Sequence, residues 1–64
     1  MEQAEAIGFL REFVKGKTRY RAAKILEVSW GSLNNWLSKK PKKISYENLK
    51  KIEALKKMVA NHEN

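Results

Sequence analysis

The sequence contains no cysteine and no aspartate, and its only histidine is His62. Without thiols, disulfides and every thiolate zinc site are excluded, and the absence fits a reducing cytosol. One imidazole cannot build a histidine metal cage or serve a nucleophile–base pair. Neither an acid–base pair nor a phosphate loop can be assembled from the remaining residues, so an enzyme is not expected, nor a cofactor or bound metal. Long apolar runs are missing as well. The longest uncharged stretch, residues 28–38, is eleven residues long and partly polar, whereas a bilayer crossing needs about 20 apolar residues. Residues 1–8 hold two Glu and no basic side chain, unlike the start of a secretory signal. No membrane partner is expected, and the expected location is the cytoplasm.

What the chain has in excess is positive charge. Fourteen Lys and Arg stand against seven Glu, a formal charge of +7 with a pI near 9.9 in 64 residues. A domain this basic meets polyanions readily. The charge is unevenly placed. Residues 1–14 sum to −2, residues 15–26 to +5 (Lys15, Lys17, Arg19, Arg21, Lys24), residues 27–38 carry only Glu27, and residues 39–43 hold four Lys around Pro41. Two basic blocks therefore bracket a nearly neutral stretch. The bland alternative is that lysine-rich loops keep a small protein soluble. The length allows one domain over residues 1–64, and a chain of this size buries only about 60% of its unfolded surface, so its core is thin.

Apolar spacing is helical throughout, and nothing alternates with period two. Ile7, Leu10 and Val14, widened by Phe9 and Phe13, predict a first helix over residues 3–15. Gly8 within it suggests a close approach by another helix, and Gly16 is a good stop. Thr18 is a good N-cap for a second helix over residues 19–26, whose adjacent Ala22 and Ala23 suit tight packing. Ser29 can open a third helix reaching Leu37 or Ser38. Pro41 marks a loop. Ser45 can cap a fourth helix, with Glu47 favourable in its first turn and a stripe of Leu49, Ile52, Leu55 and Val59. Residues 61–64 are expected to fray. The fold expected is all-α, four helices or five, around a helix-turn-helix: two short helices separated by about three residues.

The wheel of the third helix carries the functional signal. At about 100° per residue, Leu33, Trp36 and Leu37 fall on one side, and Gly31, Asn35 and Ser38 on the other, flanked by Asn34 and Ser32. A solvated face would usually carry Lys and Glu. A neutral amide- and hydroxyl-bearing face between basic segments suits close approach to base edges, because Asn can offer a donor and an acceptor to adenine while the surrounding cations hold phosphates.

Ala22-Ala23, Leu26, Val28-Ser29, Leu33 and Trp36, followed by Trp36-Leu37-Ser38-Lys39-Lys40 and Ser45-Tyr46-Glu47-Asn48-Leu49-Lys50-Lys51-Ile52, resemble the phage repressor and Cro helix-turn-helix family, also called the XRE family. The resemblance covers about residues 6–56. It implies a sequence-specific double-stranded DNA-binding regulator, a Cro-like repressor of phage or prophage type, acting in a bacterium or phage-infected cell. The second helix would cross the backbone and the third, residues 29–38, would enter the major groove. Two protomers would read a pseudo-palindromic operator with half-sites roughly 34 Å apart. The chain departs from the family pattern at three places. Glu27 stands where Gly is usual, which predicts a positive φ at a residue with a side chain. Arg19 stands where Gln is common and keeps a phosphate role. Gly31 replaces a longer base-reading side chain, which would let the helix backbone come close to the bases.

The expected base contacts are Trp30, Gly31, Ser32, Asn34 and Asn35, with Asn35 the leading reader. Trp30 has two readings: it staples the helix start to the core, or it reaches a thymine methyl or sugar. The expected phosphate contacts are Lys17, Thr18, Arg19, Arg21, Ser29, Ser38, Lys39, Lys40, Lys42 and Lys43. Ala23, Ile25, Leu26, Val28, Leu33, Trp36 and Leu37 are expected in the core. Leu55, Met58 and Val59 are candidates for a homodimer interface, at least on DNA; the competing reading is that they cover the monomer's own core. Two other functions remain open: an antitoxin, excision or transposition accessory protein using the same contacts, or a basic RNA- or protein-interaction module.

Overall fold

Three hydroxyls set the starts of three of the helices. The computed structural model describes residues 1–62 and contains α1 (Gln3–Phe13), α2 (Arg19–Leu26), α3 (Trp30–Trp36) and α4 (Tyr46–His62). Thr18 Oγ1 accepts the Arg21 N–H at 3.1 Å, Ser29 Oγ accepts the Ser32 N–H at 3.1 Å, and Ser45 Oγ accepts the Asn48 N–H at 3.3 Å. Each satisfies one of the orphan donors of a helix start, a contribution of about 1 kcal/mol apiece. The architecture is all-α with four helices and no strand among the described residues.

The helix ends are equally local. Gly16 takes φ +81° in the turn after α1. At the end of α2, Glu27 sits at φ 60°, ψ 42°, the left-handed conformation. The Val28 N–H donates to Ala23 O at 3.1 Å and the Glu27 N–H to Lys24 O at 3.2 Å. That pair of bonds is a Schellman closure with a glutamate where glycine is favoured. Lys51 Nζ, from α4, donates to the Glu27 carbonyl at 3.0 Å.

The core gathers Ala6, Ile7 and Leu10 of α1, Ala22, Ala23 and Leu26 of α2, Leu33 and Trp36 of α3, and Ile52 of α4. Ile44 completes it from the loop before α4, at 1% exposure. Val28, Leu37, Leu49 and Leu55 are half-buried against this cluster. α1 packs on α4, and the α2–α3 pair on itself and on α4.

Several expectations are corrected. Ile25, expected in the core, is 46% exposed. It lies about 100° round the helix from the centre of the face that Ala22, Ala23 and Leu26 bury, at the edge of the covered stripe. Gly8 is exposed, and a Cβ there would meet no heavy atom within 4 Å, so no helix crosses at it. α1 ends at Phe13 rather than residue 15, and α3 at Trp36, with Leu37 as its C-cap. There is no fifth helix among the described residues. α4 runs to His62, and positions 63 and 64 of the segment expected to fray lie outside the described residues.

Candidate nucleic-acid interface

The turn at Glu27 and the cap at Ser29 launch α3 across α2, and Leu33 and Trp36 anchor its inner face. Its outer face is less free than the wheel suggested. The Asn34 Oδ1 accepts a hydrogen bond from Arg19 Nη1, which ties the start of α2 to the middle of α3. The Ser29 hydroxyl donates to Ser32 Oγ at 2.8 Å, so both serines are occupied with the cap. Asn35 Oδ1 accepts the backbone N–H of Lys42 at 2.9 Å. The bidentate adenine pair expected of Asn35 would use the second lone pair of that oxygen together with the amide NH2. Asn35 thus also anchors the loop before α4, a role that its position on the helix wheel did not suggest. The Ser38 hydroxyl donates to the Asn35 carbonyl at 2.6 Å.

Trp30 and Gly31 are the open positions. Trp30 is 52% exposed, so the reading that it staples the helix start into the core is not the one adopted. A Cβ on Gly31 would meet nothing within 4 Å. Beside them lies an open hollow of about 450 Å³, lined by Gly31, Ser32, Asn35, Trp36, Lys42, Lys43, Ser45 and Asn48. A second hollow, of about 620 Å³, lies at the start of α2 and is lined by Gly16, Lys17, Thr18, Tyr20, Arg21 and Lys24. No carboxylate lines either one.

Ion pairing is unevenly distributed among the described residues. The ion pairs among the described residues are Met1 ammonium–Glu53, Glu12–Lys15, Glu5–Lys56 and Glu53–Lys57, formed by α1 with the residues just before and after it and by α4. None involves Arg19, Arg21, Lys39, Lys40, Lys42 or Lys43. Lys17 is likewise in no ion pair, but its Nζ donates to Phe13 O and lies 3.9 Å from the Phe13 ring centroid.

Two exposed aromatics escaped the sequence reading. Tyr20 is 61% and Tyr46 70% exposed, and each stands under a lysine one turn on, Lys24 at 5.3 Å and Lys50 at 4.8 Å from the ring centroid. The Tyr-x-x-x-Lys spacing just after a capping hydroxyl was the available signal. Of the proposed dimer residues, Met58 is 55% exposed, while Leu55 and Val59 are half-buried. Ile25, Leu55 and Met58 border a third hollow between the end of α2 and α4.

No protein family, curated protein or solved structure matches the chain.

Proposed function

We propose that the protein binds double-stranded DNA sequence-specifically and regulates transcription as a Cro-like repressor. The observation that supports this best is the uneven ion pairing: Glu5, Glu12 and Glu53 of α1 and α4 are paired, while the cations of α2 and of the loop around Pro41 have no carboxylate partner among the described residues and flank the open start of α3. In this reading α3 enters the major groove, Trp30 meets a thymine methyl or sugar, and Gly31 lets the helix backbone approach the base edges. Asn34 and Asn35 retain their amide NH2 groups as donors. Arg19 exchanges its bond to Asn34 for a phosphate, and Arg21 and the loop lysines hold the flanking backbone. A second copy completes a palindromic site through the apolar strip of Ile25, Leu55, Met58 and Val59.

Selection of bound duplexes from a random pool tests the reading, followed by salt titration on the best site. With five or six phosphate contacts per protomer, log K falls against log salt with a slope of about −5. Arg19→Ala is expected to flatten that slope by about one unit and to weaken all sequences alike. Recovery of no motif refutes sequence-specific binding, and sedimentation showing a monomer on the full site refutes the pairing.

The exposure of Tyr20, Trp30 and Tyr46 favours one rival reading, binding of single-stranded nucleic acid by base stacking. Competition by unstructured RNA and single-stranded DNA at equal nucleotide concentration separates the two. Displacement of the selected duplex by single strands favours the rival.

A further inference from the structure

The loop around Pro41 places four lysines within five residues, where mutual repulsion favours a splayed, variable chain. It is nevertheless held at three backbone atoms by two side chains from different helices. Asn35 Oδ1 of α3 accepts the Lys42 N–H at 2.9 Å. Gln3 of α1 uses both ends of its amide: Nε2 donates to Lys42 O at 3.2 Å, and Oε1 accepts the Ile44 N–H at 2.9 Å. Ile44 is buried directly below. Lys42 thus has both backbone polar groups taken by side chains, while Lys42 and Lys43 remain exposed on the rim of the hollow beside α3. Gly31 of α3 also lines this hollow and adds no side chain to narrow it.

We propose that Gln3 and Asn35 are positioning residues that hold Lys42 and Lys43 as one wall of a phosphodiester-binding groove beside α3, so that α1 governs nucleic-acid affinity without touching the ligand. The proposal rests on the DNA reading above. A loop ordered before binding does not have to be ordered at the expense of binding, and two lysines fixed on one wall present a defined charge to one backbone segment. Gln3 is the informative member of the pair because it belongs to α1, outside the helix-turn-helix.

The test uses the whole chain and three measurements. Amide hydrogen exchange on the free protein is expected to speed up about tenfold or more at Lys42 in Asn35→Ala and at Ile44 in Gln3→Ala, with the amides of Leu10, Leu33 and Ile52 unchanged. Binding of Gln3→Ala to the selected duplex is expected to weaken by about fivefold to tenfold, with the salt slope flattened by one to two units. The third measurement is a double-mutant cycle. In a chain carrying Lys42→Gln and Lys43→Gln, the Gln3→Ala effect on binding is expected to vanish, because the groups it positions are gone. Loss of fold would instead weaken binding in both backgrounds equally.

Unchanged exchange at Lys42 and Ile44, or additive effects in the cycle, overturns the proposal while leaving duplex binding intact. A wild-type chain that binds no duplex overturns the DNA reading and this proposal together.

Discussion

Glu27 tests whether the turn of the helix-turn-helix carries backbone strain. Its φ of 60° and ψ of 42° lie in the left-handed region, which costs a residue with a Cβ roughly 1–2 kcal/mol. Glycine removes that cost but adds about 0.4–1 kcal/mol of unfolded-state freedom. Glu27→Gly is therefore expected to stabilise the fold by about 0.5–1 kcal/mol, or ~2–8 °C in Tm for a domain of this size. No bond visible in the turn opposes this, because the contacts of Glu27 run through its backbone: its N–H to Lys24 O and its carbonyl from Lys51 Nζ. Glu27→Ala is the control, since it removes the carboxylate and keeps the Cβ. Thermal melts at several salt concentrations separate the two contributions: the charge effect is screened by salt, and the strain is not. If Glu27→Gly melts at or below Glu27→Ala, the strain argument fails and the glutamate is held by something other than the turn geometry.

Ile44→Ala is expected to cost about 2–5 kcal/mol, because the side chain is fully enclosed although it belongs to a loop; a denaturant midpoint within error of wild type would remove Ile44 from the core. Trp30→Ala is expected to change stability by less than about 1 kcal/mol, given its exposure, while weakening duplex binding at least about tenfold; equal effects on melting and binding would make it a packing residue. The Met1 ammonium, hydrogen-bonded to Glu53, holds that carboxyl below its usual range, with Lys57 adding to the effect. Its contribution is therefore present above the unfolded-state pKa and lost as pH falls through the lowered folded value. Glu53→Gln is expected to make acid titration of stability shallower in that window, and an unchanged acid limb would show that the pair contributes nothing in solution.

The helix starts, the turn and most of the core were legible in the sequence because each depends on neighbours in the chain. Thr18, Ser29 and Ser45 accept bonds from residues three positions on. The positive φ at Glu27 follows from closing α2 within the same segment. Leu33 and Trp36 share a face at helical spacing. The features that were not legible are those whose environment comes from distant chain. Ile25 has an apolar side chain in an apolar-looking run, yet only the approach of neighbouring helices decides how much of α2 is covered, and it falls outside. Ile44 stands between lysines and a cap with no periodicity to mark it, yet it fills the core. Asn35 is polar and outward by its wheel position, and only the fold brings the Lys42 N–H within 2.9 Å to engage it. Gln3, at the start of α1, gave no sign of reaching a loop some forty residues away, where it bonds Lys42 and Ile44. Local hydrogen bonding and periodicity are written in adjacent residues. A long-range partner for a polar side chain exists only once packing has brought the two segments together.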